Sequence, residues 1–484
     1  MKYILEIHFG LIKKIFYFLI VFSVMPLMGQ NAIQERFDKF VQSSSLMQAV
    51  VGFELLDLQT GQIIAAENNF KALTPASVLK LLTSATALEL LGPQYRFETA
   101  VCISGEVTPG GTLEGNLHIV GGGDPTTGSS FFPGGRTFAD KWLKELSAKG
   151  IKNITGRIYV DAGCYDDTPI STKWLVEDVG NYYAPGSYGV ALFDNSYRLT
   201  LQCKAANEIP EIVYCTPDMK DYLTFANRLR KGNKNNLFIE GLPSDYNRIL
   251  KGTVTNGTDS IYLKGDIPDV PRFMEYYMYR YFGQKGIEII GEELPSETLS
   301  PIAVFDSPAL SEIIKITNYK SINLFADHLL KQIGYESKRV AGAGSFQSGL
   351  DVQQNFWQSK GVDLSNYTLY DGSGLAPGNK VSANILNSIL SYMNNESKNR
   401  QVFRQSLPQA GREGTVAGLV PNSYSRAAFF LKSGSMTGVR AYSGYIVKEG
   451  RYYAITLLCN NFSDKGSAVV AAITSLFVDL GGLL

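Results

Sequence analysis

Histidine is nearly missing from this chain, with 3 residues in 484. His8 lies in an N-terminal leader, which leaves His118 and His328. His118 sits in the alternating run Leu117-His118-Ile119-Val120 and reads as a strand residue, whereas His328 follows Ala326-Asp327 in a helical pattern. Two scattered imidazoles argue against a His-rich zinc site and against a Ser-His-Asp triad. Cysteine is also sparse: Cys102, Cys164, Cys203, Cys215 and Cys459 are odd in number and irregularly spaced. That excludes a dense disulfide framework and gives no zinc-ligand spacing, so no metal or cofactor is expected. In an oxidising compartment Cys203 and Cys215 could bridge across a short loop. Charge of either sign is not in excess, with 45 Lys+Arg against 45 Asp+Glu, and no basic block points to nucleic acid. A serine hydrolase built from this composition would need a base other than histidine, and lysine is the natural candidate.

The chain is too long for one ordinary core, so two or three domains are expected. Its 47 Gly, 27 Tyr and 26 Phe fit a β-rich protein with many turns. Lys13 and Lys14 precede an apolar stretch from Ile15 to Val24, and small Gly29 stands before a polar segment. This pattern predicts a cleavable signal peptide over 1–29 and a periplasmic mature protein; an uncleaved anchor is the lesser reading. The apolar run is short for a transmembrane helix. No cysteine lies near the cleavage region to carry a lipid. The apolar C-terminus, Val469 to Leu484, reads as a helix closing a sheet, with at most peripheral membrane contact.

Residues 49–66 read as a hairpin turning at Gln59-Thr60-Gly61, followed by a helix from Ser77 to Leu91 with Thr74 as N-cap and Pro75 at its first position. It stops at Gly92-Pro93. From 95 to 300 turn signals separate short β-like runs, which predicts one or two inserted β-rich units. Gly121-Gly122-Gly123 reads there as a tight turn; it lacks the Gly-Lys-Ser/Thr ending of a phosphate loop. Helices return after Ser307-Pro308, with a break at Asn318-Tyr319-Lys320-Ser321 inside the helical run Ile314–Ile333. Ala427–Lys432 reads as a strand, Tyr442–Val447 and Tyr452–Cys459 as a hairpin, and Ala468–Leu480 as a closing helix. The division expected is 30–94 and 301–484 for one domain, with 95–300 inserted.

Three short motifs carry the chemistry. Ser77-Val78-Leu79-Lys80 opens the first long helix. Residues i and i+3 share a helix face, so hydroxyl and amine can meet. Backbone N–H groups at a helix start suit a developing oxyanion. The pattern S-x-x-K alone arises by chance about once in a few hundred residues at average composition. Ser321-Ile322-Asn323 lies at the helix break, where a side chain can face a cleft. S-x-N also occurs at Ser382–Asn384 and Ser397–Asn399, so only context favours Ser321. Lys432-Ser433-Gly434-Ser435 ends a strand before the last hairpin; alone it reads equally as a solvated strand end.

In this combination and order the motifs resemble the penicillin-recognising serine hydrolases, and more narrowly the D-alanyl-D-alanine carboxypeptidase/endopeptidase family of class C penicillin-binding proteins (peptidase family S13). The narrower likeness rests on Val120-Gly121-Gly122-Gly123-Asp124-Pro125-Thr126, Tyr183-Ala184-Pro185-Gly186-Ser187, Asp371-Gly372-Ser373-Gly374-Leu375, Leu407-Pro408-Gln409-Ala410-Gly411 and Gly414-Thr415. The resemblance implies an α+β fold of the penicillin-binding-protein/serine β-lactamase type, with 30–94 and 301–484 as its catalytic domain and 95–300 as two extra β-rich domains, one nested within the other. It implies Ser77 as nucleophile, Lys80 as base and Ser321 as proton relay. Asn323 would hold the acyl-side amide, and Lys432, Ser433 and Ser435 the terminal carboxylate. Backbone N–H groups of Ser77 and Ser435 would form the oxyanion hole. Lys80 would be a weak proton holder, poorly hydrated and close to Lys432. Partners would be peptidoglycan peptides, with β-lactams as covalent inhibitors. The family usually has Lys-Thr-Gly where this chain has Lys432-Ser433-Gly434, which loses a methyl group and the χ1 restriction that comes with it. A β-lactamase or esterase of the same fold, and a catalytically silent wall-binding protein, are the alternatives. Glu177 and Asp178 are candidates to receive a diamino-acid ammonium, although an ordinary acidic loop explains them as well.

Overall fold

Residues 32–203, 208–255, 260–295, 298–421 and 426–484 are described by a computed structural model of the chain. The leader expected to act as a signal peptide lies outside the described residues. A helix over 32–41 (α1) precedes strands β1 (Val50–Asp57) and β2 (Ile63–Glu67) and helix α2 (Lys80–Leu91). After the segment 95–306 come α3 (Leu310–Lys320), α4 (Asn323–Glu336) and α5 (Ala383–Asn395). Strands β3 (Ala428–Met436), β4 (Val439–Lys448) and β5 (Arg451–Asn460) and helix α6 (Gly466–Leu483) end the chain.

The two ends of the sequence build one antiparallel sheet of order β3-β4-β5-β1-β2. β5 pairs with β1 from Val50↔Asn460 to Asp57↔Tyr453, so the first and last strands are neighbours at its centre. Strand side chains alternate between faces. Tyr453, Ile455, Leu457 and Cys459 face α1 and α6, where Phe37 stacks on Phe53 at 4.2 Å. Ala454 and Leu458 face the opposite core with Leu82, Phe325 and Ile389 from α2, α4 and α5. Each fully buried Leu or Phe there contributes roughly 1.5–3 kcal/mol. The C-terminal helix turns Val469, Ile473, Phe477 and Leu480 onto the sheet.

The segment between the motifs carries its own core. A hairpin of Glu98–Val107 and Thr112–Gly121 anchors a six-stranded sheet that Ser300–Asp306 rejoins antiparallel. Sheets of three and four strands follow, with helices Phe138–Ala148 and Val270–Gln284 packed among them. His118 is a strand residue paired with Cys102, and Gly123 takes φ 88° at the turn that ends its strand.

Two expectations are corrected. Thr74 does not cap α2: its amide and carbonyl are taken by the Asn460 side chain at 2.8 and 3.0 Å. The helix instead starts as a 3-10 turn, Ala76–Leu79, behind Ala76 at φ 46°. Cys203 and Cys215 are both free thiols. Cys215 pairs in register with Leu199, four residues from Cys203, an offset of about 13 Å of extended backbone.

Candidate active site

Ser77 is presented by a strained turn. Ala76 has the left-handed backbone at φ 46°, a conformation costing a non-glycine residue about 1–3 kcal/mol. Ser321, at φ 60° between α3 and α4, is held the same way. Both serines therefore sit at enforced corners.

Gly434 lets strand β3 close against the first corner. A Cβ there would stand 2.7 Å from Pro75 O, 3.0 Å from Ser77 N and 3.1 Å from Val78 N. Only glycine fits, and the strand backbone is consequently laid against the Ser77 turn. Next to it, fully buried Lys432 donates from Nζ to Ser321 Oγ at 2.8 Å and to Ser433 O at 2.7 Å.

Lys80 is fully buried and gathers the rest. Its Nζ lies 3.0 Å from Ser77 Oγ, 2.6 Å from Asn323 Oδ1 and 2.5 Å from Ser373 O. Asn323 Oδ1 and Ser373 O can only accept. A neutral amine spends its two hydrogens on them, and its lone pair is left for the Ser77 hydroxyl. Burial favours that neutral form, lowering the ammonium to about 8, while Asp327 and Asp371 oppose the shift. Burial also takes Lys432 well below its ordinary value, with Lys80 acting in the same direction. The two lysines do interact, but only Lys432 is lowered by its neighbour; the Lys80 shift comes from burial.

All eight residues expected at the site converge, although not every side chain is free for substrate. Asn323 Nδ2 donates to Tyr183 O at 2.7 Å, so both ends of its amide are engaged. Ser433 Oγ shares a proton with Thr415 Oγ1 at 2.7 Å, and Ser435 Oγ accepts from Arg440 Nη1 at 2.5 Å. These two serines lie two apart on β3 and share a face.

Several residues at the site carried no role in the sequence reading. Asp371 accepts from Gly374 N, Asn379 Nδ2, Ala376 N and Trp174 Nε1 at 2.7–2.8 Å, which fixes the loop bearing Ser373 O. Trp174 and Tyr183 come from the inserted segment. Buried Lys331 pins that segment through Asp166 Oδ1 (2.9 Å), Thr168 O (2.8 Å) and Ser187 O (3.1 Å). Asp178, in the same segment, accepts from the Tyr183 hydroxyl at 3.0 Å. Asp371 and Tyr183 stood inside runs noted in the sequence, yet nothing in those runs says which chain segments they would meet.

A serine hydroxyl under a buried lysine, with a second serine–lysine pair beside it, is the arrangement expected from the three motifs. The model of the D-Ala-D-Ala carboxypeptidase 3 (S13) family matches residues 33–477. The chain belongs to this family. It is 27% identical over 472 residues to a D-alanyl-D-alanine carboxypeptidase of Actinomadura sp. (strain R39), covering 90% of this chain and 82% of that one. It is 27% identical over 434 residues to D-alanyl-D-alanine carboxypeptidase DacB of Haemophilus influenzae, covering 85% and 86%. The crystal structure of penicillin-binding protein 4 (dacB) from Haemophilus influenzae superposes with a TM-score of 0.78 at 24% identity, covering 92% of this chain and 98% of that one. The same protein complexed with a β-lactam gives 0.74 at 23%, covering 92% and 99%. The fold is that of the penicillin-binding proteins, and this S13 protein is a serine-type D-Ala-D-Ala carboxypeptidase acting on peptidoglycan.

Proposed function

We propose that the S13 protein works in the periplasm through an acyl-enzyme on Ser77. The observation that supports this most is the placement of Lys80 Nζ 3.0 Å from Ser77 Oγ, with Asn323 Oδ1 and Ser373 O as its two other partners. Ser77 Oγ gives its proton to Lys80 Nζ as it bonds to the carbonyl carbon of a D-alanyl peptide bond. The oxyanion is met by the N–H groups of Ser77 and Ser435. The C–N bond then breaks, and the leaving amine takes a proton through Ser321. Lys432, Ser433 and Ser435 hold the carboxylate of the departing D-amino acid, and water hydrolyses the ester. Release of terminal D-alanine and cleavage of D-alanyl cross-links are the same reaction on different leaving groups. A β-lactam would acylate Ser77 and keep its amine tethered, so deacylation is slow.

Labelling with a fluorescent penicillin tests the reading. Wild type is expected to carry covalent label and Ser77→Ala none. Rapid, catalytic consumption of the penicillin would make the chain a β-lactamase of this fold instead.

A further inference from the structure

A cleft of about 1180 Å³ is walled by α3, by the short helix Arg400–Gln405 and by β3, β4 and β5. None of the eight residues of the acylation centre lines it. It adjoins that centre along the chain: Phe430 stands two residues before Lys432 on β3, and Tyr319 two before Ser321 at the end of α3.

Four cations line this cleft, Lys315, Lys398, Arg400 and Arg404. None of them, nor the exposed Glu312 on the same wall as Lys315, is in an ion pair among the described residues. Arg404 is the best prepared. Its half-buried guanidinium lies 3.8 Å from the centre of the Tyr452 ring, and its Nε donates to Asn394 Oδ1 at 3.1 Å. Its Nη2 donates to the same oxygen, and its Nη1 has no hydrogen-bond partner among the described residues. A guanidinium stacked on a ring and gripped by a neutral amide keeps its charge, with donors to spare for a planar anion. Arg400 precedes it by one helical turn on the same face.

The other walls say what would carry the anions. Phe430, Tyr445 and Tyr452 come from three adjacent strands and give the cleft an aromatic side. Glu413 is already engaged, accepting from the Tyr319 hydroxyl at 3.0 Å and from Gln409 N at 3.2 Å. Glu312 is not. A bare carboxylate among the cations repels a phosphate polymer but suits a peptide of mixed charge. Carboxylates would meet the cations, an ammonium would meet Glu312, and aliphatic groups would lie on the rings. A peptidoglycan stem peptide that ends in a diamino acid has this chemistry. We propose that the cleft is a second, non-catalytic site that holds one stem peptide while the acylation centre works on another. This rests on the reading of peptidoglycan as the substrate. Holding the polymer raises the local concentration of neighbouring D-alanyl ends with no new contact at Ser77.

The probe is a disaccharide tripeptide that ends in a diamino acid and has no D-alanyl bond. It is titrated calorimetrically into protein already acylated with benzylpenicillin, so the catalytic cleft is occupied. Binding is expected, and it should weaken as salt rises. Lys398→Ala/Arg400→Ala, both exposed, should bind about two- to fivefold more weakly for each charge lost, and Glu312→Gln more weakly by a similar factor. Arg404→Gln should lose about tenfold or more. If it does not fold, the variants at exposed positions decide. In every folded variant penicillin acylation and KM for a soluble D-alanyl-D-alanine peptide should stay at wild-type values, while KM for intact peptidoglycan rises. Acylated wild type that takes no tripeptide overturns this inference alone, as do variants that bind it like wild type. A cleft that takes inorganic phosphate in place of the tripeptide, more tightly in Glu312→Gln, overturns it in favour of a phosphate-bearing polymer. Wild type that penicillin does not label overturns the functional reading, and this inference with it.

Discussion

The indole N–H of Trp174 donates to Asp371 Oδ2 at 2.8 Å, joining the inserted segment to the loop whose Ser373 carbonyl holds Lys80. The insertion is therefore part of the framework around Lys80. Trp174→Phe removes one of the four donors to a buried carboxylate, at a cost of about 1–3 kcal/mol. Thermal unfolding should show that loss. Penicillin acylation should slow as the Ser373 carbonyl loosens. Unchanged stability and rate together would mean the contact carries nothing.

Gly434→Ala is expected to leave a folded protein that does not acylate. The added Cβ would enter within 2.7 Å of Pro75 O and 3.0 Å of Ser77 N, both backbone atoms of the strained turn. Far-ultraviolet circular dichroism reports the fold and fluorescent-penicillin labelling the activity. Near wild-type labelling would show that the close approach of β3 is dispensable.

Acylation should rise with pH. Lys80 accepts a proton only when neutral, and burial brings its ammonium down to about 8. About a tenth of the molecules are then competent at pH 7 and most above pH 9, so the rate climbs through the range 7–9 before other groups intervene. Stopped-flow acylation against pH measures the limb. A rate flat from pH 6 to 9 would remove Lys80 as the base. Lys80→Arg, charged at every pH in the range, should be inactive throughout.

The serine in Lys432-Ser433-Gly434 lacks the methyl group usual in the family, but the Thr415 hydroxyl at 2.7 Å holds its rotamer. Ser433→Thr should consequently change KM for a D-alanyl-D-alanine peptide less than Thr415→Val, which removes the restraint. Steady-state release of D-alanine by the two variants ranks them; the reverse order would mean that β-branching matters more than the hydrogen bond.

Local pattern made much of this legible. Hydrophobic alternation and turn residues marked the hairpins of β1–β2 and β4–β5, and the break at Ser321 was visible between two helical runs. The α2 start was misread because Thr74 and Pro75 look like a capped helix, while the Asn460 side chain, from the other end of the chain, takes both backbone groups of Thr74. The Cys203–Cys215 pairing failed because register, which spacing does not reveal, sets Cys215 against Leu199. Three motifs located the eight residues at the centre. The role of Trp174 stayed hidden, since it acts through Asp371, a partner far away in sequence.

The central claim is that Ser77 is the nucleophile and Lys80 its base. Intact-protein mass spectrometry after incubation with benzylpenicillin, followed by peptide mapping, tests it most directly. The account predicts one adduct of the whole penicillin on the peptide bearing Ser77, and none in Ser77→Ala or Lys80→Arg. An adduct on another peptide, or one that survives in Ser77→Ala, would contradict it.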